Sequence, residues 1–146
     1  MSSVIVVDAS VVVEALTPSN HTTLARRALE EAASKAALIA PHGVFQAEVL
    51  NGFRRALIRG AVKTLTPLLE ALEKIPIRLV TVDKLLIRLT AELVAVTHHP
   101  APDLVYVALA YLTHATLYTL DSGQASVARR VLGENRVLLL LREEQG

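Results

Sequence analysis

Four carboxylates have the side-chain type and the positions expected of a hydrolytic site. Asp8 and Asp121 each directly follow a predicted strand. Glu48 lies in the first turns of a predicted helix, and Asp103 opens another. Carboxylates packed together repel one another, so they all stay ionised only beside a cation. Because the sequence has no cysteine, oxygen-only ligands would favour a hard ion, Mg²⁺ or Mn²⁺. Such an ion activates water and stabilises charge at phosphorus, so these residues indicate hydrolysis of phosphodiester bonds.

The elements that must position these acids alternate along the chain. Short runs of β-branched and apolar residues predict strands over Val4–Val7, Ala36–Ala40, Ile77–Val82, Ala115–Leu120 and Arg136–Leu141. Apolar residues at helical spacing, with caps and breakers, predict helices over Ser10–Leu16, Thr22–Ser34, Val44–Arg59, Thr66–Lys74, Asp83–Thr97, Asp103–His114 and Ser122–Leu132. This alternation predicts an α/β fold, a three-layer α/β/α sandwich with a mostly parallel central sheet. No linker or repeat divides the sequence, so we expect one domain over residues 1–146.

Parallel strands all end at one edge of a sheet, and the helices that follow them begin there. Asp8, Glu48 and Asp121 are therefore expected to meet at this edge. Asp103 joins them only if its helix follows a strand or a long loop that ends there. Each acid taken alone also has an ordinary structural interpretation. Asp8 would stabilise a turn beside Ser10 as the helix N-cap, Asp121 would cap a helix, Asp103 would favour a helix start, and Glu48 would be a surface residue.

Four stretches, in order, resemble the motifs of PIN-domain proteins, most of all VapC-type toxins of prokaryotic toxin–antitoxin pairs. They are Val-Val-Asp-Ala-Ser ending at Ser10, Ala-Glu-Val-Leu-Asn ending at Asn51, Pro-Asp-Leu-Val-Tyr-Val-Ala-Leu-Ala ending at Ala110, and Tyr-Thr-Leu-Asp ending at Asp121. The resemblance implies a metal-dependent endoribonuclease that cuts single-stranded or loop RNA. It also implies a homodimer held inactive by a small antitoxin protein.

The resemblance assigns roles to individual residues. Asp8, Glu48, Asp103 and Asp121 match the metal-binding acids of the family, and Ser10 and Thr119 match hydroxyl positions that support the first and last acid. In the family's fold the helix of Asp103 begins at the acidic edge. Ser122 and Gly123 follow the last acid, where the family often has a basic residue, so the resemblance assigns no substrate-orienting residue there.

Binding of RNA would need a local basic surface, because the net charge is only +1. Arg55 is the best candidate, two turns from Glu48 on the same helix face. The adjacent histidines His98 and His99 lack the spacing of a zinc helix and are expected to end a helix. The N-terminus lacks a signal-peptide pattern and no apolar run could cross a bilayer, so we expect a cytoplasmic protein.

Two other functions remain as alternatives. A phosphatase of the haloacid-dehalogenase type would need a second Asp two residues after the first, where this chain has Ser10. A catalytically silent PIN-like scaffold that binds RNA or a partner protein would have the same fold without the reaction.

Overall fold

A computed structural model describes residues 3–140, which form one five-stranded sheet with helices on both faces. The strands are β1 (Ser3–Val7), β2 (Ala36–Pro41), β3 (Ile77–Val80), β4 (Thr116–Thr119) and β5 (Val137–Leu139). The helices are α1 (Ala9–Leu16), α2 (Thr22–Lys35), α3 (Val44–Ile58), α4 (Thr66–Glu73), α5 (Lys84–Thr97), α6 (Ala101–Thr113) and α7 (Ser122–Leu132). A short 3₁₀ turn, Glu134–Arg136, precedes β5. The predicted α/β sandwich is confirmed, and all of the described strand pairs are parallel.

The first strand lies at the centre of the sheet. The strand order is β3-β2-β1-β4-β5, and Val6 pairs with Ile39 of β2 on one side and Leu117 of β4 on the other. Val6 and Val7 are completely buried. An unbroken β-branched run suits such a strand because both of its faces are covered by helices.

The strand order creates a crevice between β1 and β4. Right-handed connections from β1 to β2 and from β2 to β3 put α1–α4 on one face. The chain then returns past β1, and the connections to β4 and β5 put α5–α7 on the opposite face. The direction of winding reverses between β1 and β4. In open α/β sheets this point, at the carboxyl ends of the strands, is where ligands bind.

Several predicted boundaries were wrong by a few residues. Helix α6 begins at Ala101, not at Asp103, with Pro100 as its N-cap. Pro102 is accepted in the first turn because no backbone N–H is needed there. The sequence favours Thr66 as the N-cap of α4, with Pro67 in its first turn, but the structure has Leu65 at the N-cap position.

The ends of two strands also differ from the prediction. Strand β3 ends at Val80, because Asp83 then caps the next helix. Strand β5 is shorter than predicted, and Leu141 lies outside the described residues. Among residues 3–140 the structure contains no helix that is both long enough and apolar enough to span a bilayer.

Candidate active site

Asp8 ends β1 and caps α1. Its carboxylate accepts hydrogen bonds from the Ser10 backbone N–H at 3.1 Å, the Gln124 Nε2 at 3.3 Å and, more weakly, the Thr119 hydroxyl at 3.4 Å. The N-cap is therefore Asp8, and the prediction that Ser10 caps this helix was wrong. The Ser10 hydroxyl instead accepts from the backbone N–H of Leu120 at 3.0 Å, which ties the start of α1 to the end of β4.

Asp121 repeats this arrangement at the end of β4. It caps α7, and its Oδ1 accepts from the backbone N–H of Gln124 at 3.0 Å. The backbone N–H of Asp121 donates to the hydroxyl of Thr119 at 3.0 Å, and that hydroxyl donates to Asp8. Thr119 is completely buried, so it connects the two strand-end acids through one side chain.

Asp103 reaches the same edge from the other face of the sheet. It lies in the first turn of α6, and its Oδ2 pairs with Nε2 of His99 at 2.9 Å. Its backbone carbonyl accepts from the Gln124 side chain at 3.2 Å. Because α6 leads into the start of β4, its own N-terminus lies at the carboxyl edge of the sheet, which is the placement that topology alone had left open.

Glu48 is brought in by the close packing of α3 against α1. A Cβ on Gly52 would lie 2.4 Å from Cγ2 of Val13, so only glycine allows the two helices to approach this far. Glu48 is one turn before Gly52 and Arg55 is one turn after it, and both then face α1. Oε1 of Glu48 is buried and has no hydrogen-bond partner.

The Tyr106 side chain is completely buried under Glu48. Its hydroxyl is near enough to lower the pKa of the Glu48 carboxyl, yet neither this hydroxyl nor Oε1 of Glu48 makes a hydrogen bond of good geometry. Tyr106 is therefore part of the core, with its polar end directed at the acids.

All four acids line one cavity of about 160 Å³. Arg55 and Ser10 also line it, with Ala9 and Val13. In three of the acids the ionised form is disfavoured by the surroundings. Burial, more than any other cause, raises the pKa of Asp8, of Glu48 and of Asp103. Neighbouring acids add to this effect, so full ionisation of the cluster is disfavoured in the absence of a cation.

A family model for the PIN domain matches residues 5–130. The chain belongs to the PIN domain family. Its fold is similar to that of a chain in the crystal structure of VapBC2 from Rickettsia felis bound to a DNA fragment from their promoter, with a TM-score of 0.66 and 15% sequence identity. That match covers 89% of this chain and 94% of the other. No curated protein sequence matches significantly.

The donor set of this PIN domain fits a hard divalent cation. Carboxylates supply the oxygen ligands that Mg²⁺ and Mn²⁺ prefer, Glu48 is one of the four that line the cavity, and its buried Oε1 has no hydrogen-bond partner. Within residues 3–140, however, no three Asp, Glu or His side chains are yet arranged to hold a metal ion. Side chains would have to turn inward for an ion to be bound, or waters would have to complete its ligands.

Sequence reasoning missed two polar residues of this PIN domain site. Gln124 is completely buried and contacts three of the acids, through its side chain to Asp8 and Asp103 and through its backbone to Asp121. Nothing in the sequence indicated this role, because a glutamine in the first turn of a helix matches no motif of a site. His99 was interpreted as a helix end, although its spacing of four residues from Asp103 was visible in the sequence.

Proposed function

We propose that this PIN domain is a metal-dependent endoribonuclease that hydrolyses RNA phosphodiester bonds. The observation that carries the proposal is the convergence of Asp8, Glu48, Asp103 and Asp121 on one cavity, with burial raising the pKa of three of them. Burial makes ionisation of these carboxylates unfavourable, and a bound cation would stabilise their ionised form.

The four acids would hold Mg²⁺ or Mn²⁺ between them. A bound ion of this kind supplies a water that is easier to deprotonate and a positive charge for the phosphate oxygens. Hydrogen bonds within the protein orient the carboxylates of the site. Asp8 is held by its backbone and side-chain donors, and Thr119 links it to Asp121. Arg55, in the wall of the same cavity, would bind a phosphate of the RNA.

We further propose that the chain is a VapC-type toxin with a small antitoxin as its partner, acting in the cytoplasm as a homodimer. The sequence motifs and the similarity in fold to VapBC2 support this assignment. Apolar side chains on α5 support an interface, because Leu85, Ile87 and Val96 are exposed by 61%, 52% and 77%. Burial of such side chains against a second protein would remove apolar surface from water.

Cleavage of a structured RNA with Mg²⁺ or Mn²⁺ tests the reaction, and the chain offers a matched control. Asp121 and Asp83 are both N-caps whose carboxylates accept a backbone N–H, at 3.0 and 2.9 Å. Asn caps a helix about as well as Asp, so both Asp→Asn variants should fold. Asp121→Asn should lower the cleavage rate at least about a hundredfold, since it removes a charge from the site, whereas Asp83→Asn should cut like the parent. Equal cleavage rates for the two variants would refute the role of Asp121 in the site, and a parent protein that cuts no RNA with either ion would refute the nuclease assignment.

The absence of a ready metal arrangement within residues 3–140 favours one alternative, a silent PIN-like scaffold that binds RNA or a partner. Calorimetry separates the two functions. A nuclease should bind Mn²⁺, and Asp103→Asn should weaken that binding, whereas a scaffold should show no saturable heat from Mn²⁺.

A further inference from the structure

A second cavity, of about 410 Å³, adjoins the acidic one. The two cavities share Ser10, Val13, Arg55 and Asp121 in their walls. We call the second one the side cavity; Glu14, His21 and Leu120 complete its lining. Its volume falls within the range of about 300–1,000 Å³ that is usual for small-molecule sites. A group bound in it would lie directly beside a phosphate held by the acids.

The walls of the side cavity combine apolar surface with the carboxylate of Glu14, which does not line the acidic cavity. Val13 and Leu120 offer aliphatic contact, which suits the faces of a planar ring. Glu14 lies one turn after Ser10 on α1, and its side chain is 30% exposed. Its Oε2 accepts a hydrogen bond from the Ser19 hydroxyl, and that hydroxyl also accepts from the backbone N–H of His21 at 3.2 Å. The loop after α1 therefore holds the Glu14 carboxylate in place at the cavity wall.

Arg55 lies in the wall common to both cavities. A guanidinium at this position can bind the phosphate that links a nucleotide in the side cavity to the next one along the RNA. The side cavity is thus placed for a base that flanks the cleaved bond. Single-stranded RNA is recognised in this way, by unstacked bases whose edges form hydrogen bonds.

Given the nuclease function proposed above, on which this inference rests, we propose that the side cavity binds a guanine base through Glu14. A carboxylate only accepts hydrogen bonds, and each of its oxygens can accept more than one. Guanine has two adjacent N–H donors, N1–H and the N2 amino group, that match its two oxygens. The other bases present an acceptor next to their donor on that edge, and a carboxylate repels it. The side cavity therefore confers a preference for cleavage next to guanosine.

Binding of the four nucleoside 5′-monophosphates to the metal-free protein tests the proposal without relying on catalysis. In NMR titrations, GMP should shift the amide signals of Val13, Glu14 and Leu120 and bind at least about tenfold more tightly than AMP, CMP or UMP. Glu14→Gln should abolish this difference. Gln keeps an oxygen that can accept from Ser19, so the fold should persist, and a thermal melt checks that it does. Glu30→Gln, at an exposed position of α2, is the control and should keep the preference.

The outcomes separate this proposal from the nuclease function. Equal binding of the four nucleotides, or an unchanged preference in Glu14→Gln, overturns the guanine site. Selective binding of GMP that Glu14→Gln removes, in a protein that cuts no RNA with Mn²⁺, supports the guanine site and overturns the nuclease function. Sequencing of cleavage products from a mixed RNA pool gives the converse test. Cleavage without guanine at a fixed position next to the cut supports a nuclease and overturns the role of the side cavity.

Discussion

Replacing Asp8 by Asn should stabilise the metal-free protein at alkaline pH, even though it removes a residue of the proposed site. Asn has the same shape, and its single oxygen can replace the Oδ2 that accepts from Ser10 and Thr119. The bond from Gln124 to Oδ1 is lost, at a cost of about 1 kcal/mol. Against this loss stands the burial of an ionised carboxylate, whose effective penalty in proteins is several kcal/mol.

The balance predicts a gain of about 1–3 kcal/mol in the free energy of unfolding at pH 8, which for a chain of this size is roughly 3–9 °C in melting temperature. The gain depends on pH because burial raises the pKa of Asp8 in the folded protein. The folded state then keeps the Asp8 proton to a higher pH than the unfolded state. The contribution of Asp8 to stability is present below the unfolded pKa, about 3.9, and is lost as pH rises through the folded pKa. Near pH 4 the variant should be no more stable than the parent.

Urea unfolding in EDTA at pH 4 and pH 8 measures this difference, with Asp83→Asn, a helix cap outside the acidic cavity, as the control variant. A repeat with Mn²⁺ tests the site itself. A ligand at a hundred times its Kd stabilises by about 2.7 kcal/mol, and only the parent should gain by this amount. If Asp8→Asn is less stable than the parent at pH 8 in EDTA, Asp8 is simply a helix cap. If Mn²⁺ stabilises both proteins equally, Asp8 does not hold the ion.

Three further substitutions test the packing and the electrostatics of the site. Gly52→Ala should destabilise the protein by about 1–3 kcal/mol in urea unfolding, because its Cβ would overlap Val13; adding Val13→Ala should restore most of the loss, and no recovery would contradict this reason. Gln124→Leu should weaken Mn²⁺ binding about tenfold in calorimetry, since it removes the Nε2 that donates to the Asp8 carboxylate and to the backbone carbonyl of Asp103; unchanged affinity would limit Gln124 to packing. Arg55→Ala should lower the slope of log RNA affinity against log salt concentration by about 1. Arg54 is exposed and lies outside both cavities, so Arg54→Ala should change this slope less than Arg55→Ala does.

The fold could be predicted from the sequence because its signals are local. The apolar run of β1, the alternation of strands and helices and the strand-end acids each need only a few consecutive residues. The position of Asp103 depends on where α6 begins relative to the sheet, and no local pattern contains this long-range relation. The family resemblance implied it, and the structure places Asp103 beside Asp8 and Asp121 in one cavity.

The parts of the site that could not be predicted depend on contacts between distant residues. Gln124 donates to Asp8 across 116 positions of the chain, and its type and its place in α7 are unremarkable by themselves. The sequence shows that Gly52 is small, but the residue that packs against it, Val13, belongs to another helix. Such pairs follow from how α1, α3 and α7 pack, so they become apparent only once the helices are placed on the sheet.

Within residues 3–140 the strand–Asp–helix pattern occurs three times, so the pattern alone does not identify a site. Asp8, Asp83 and Asp121 each cap the helix that follows a strand, and each accepts a backbone N–H of that helix. What separates them is the order of the strands. β1 and β4 are neighbours at the point where the winding reverses, whereas β3 lies at the outer edge of the sheet. Capping therefore does not compete with a role in the site for Asp8 and Asp121. The cap fixes the carboxylate at the strand end, and the strand order decides whether other acids meet it there.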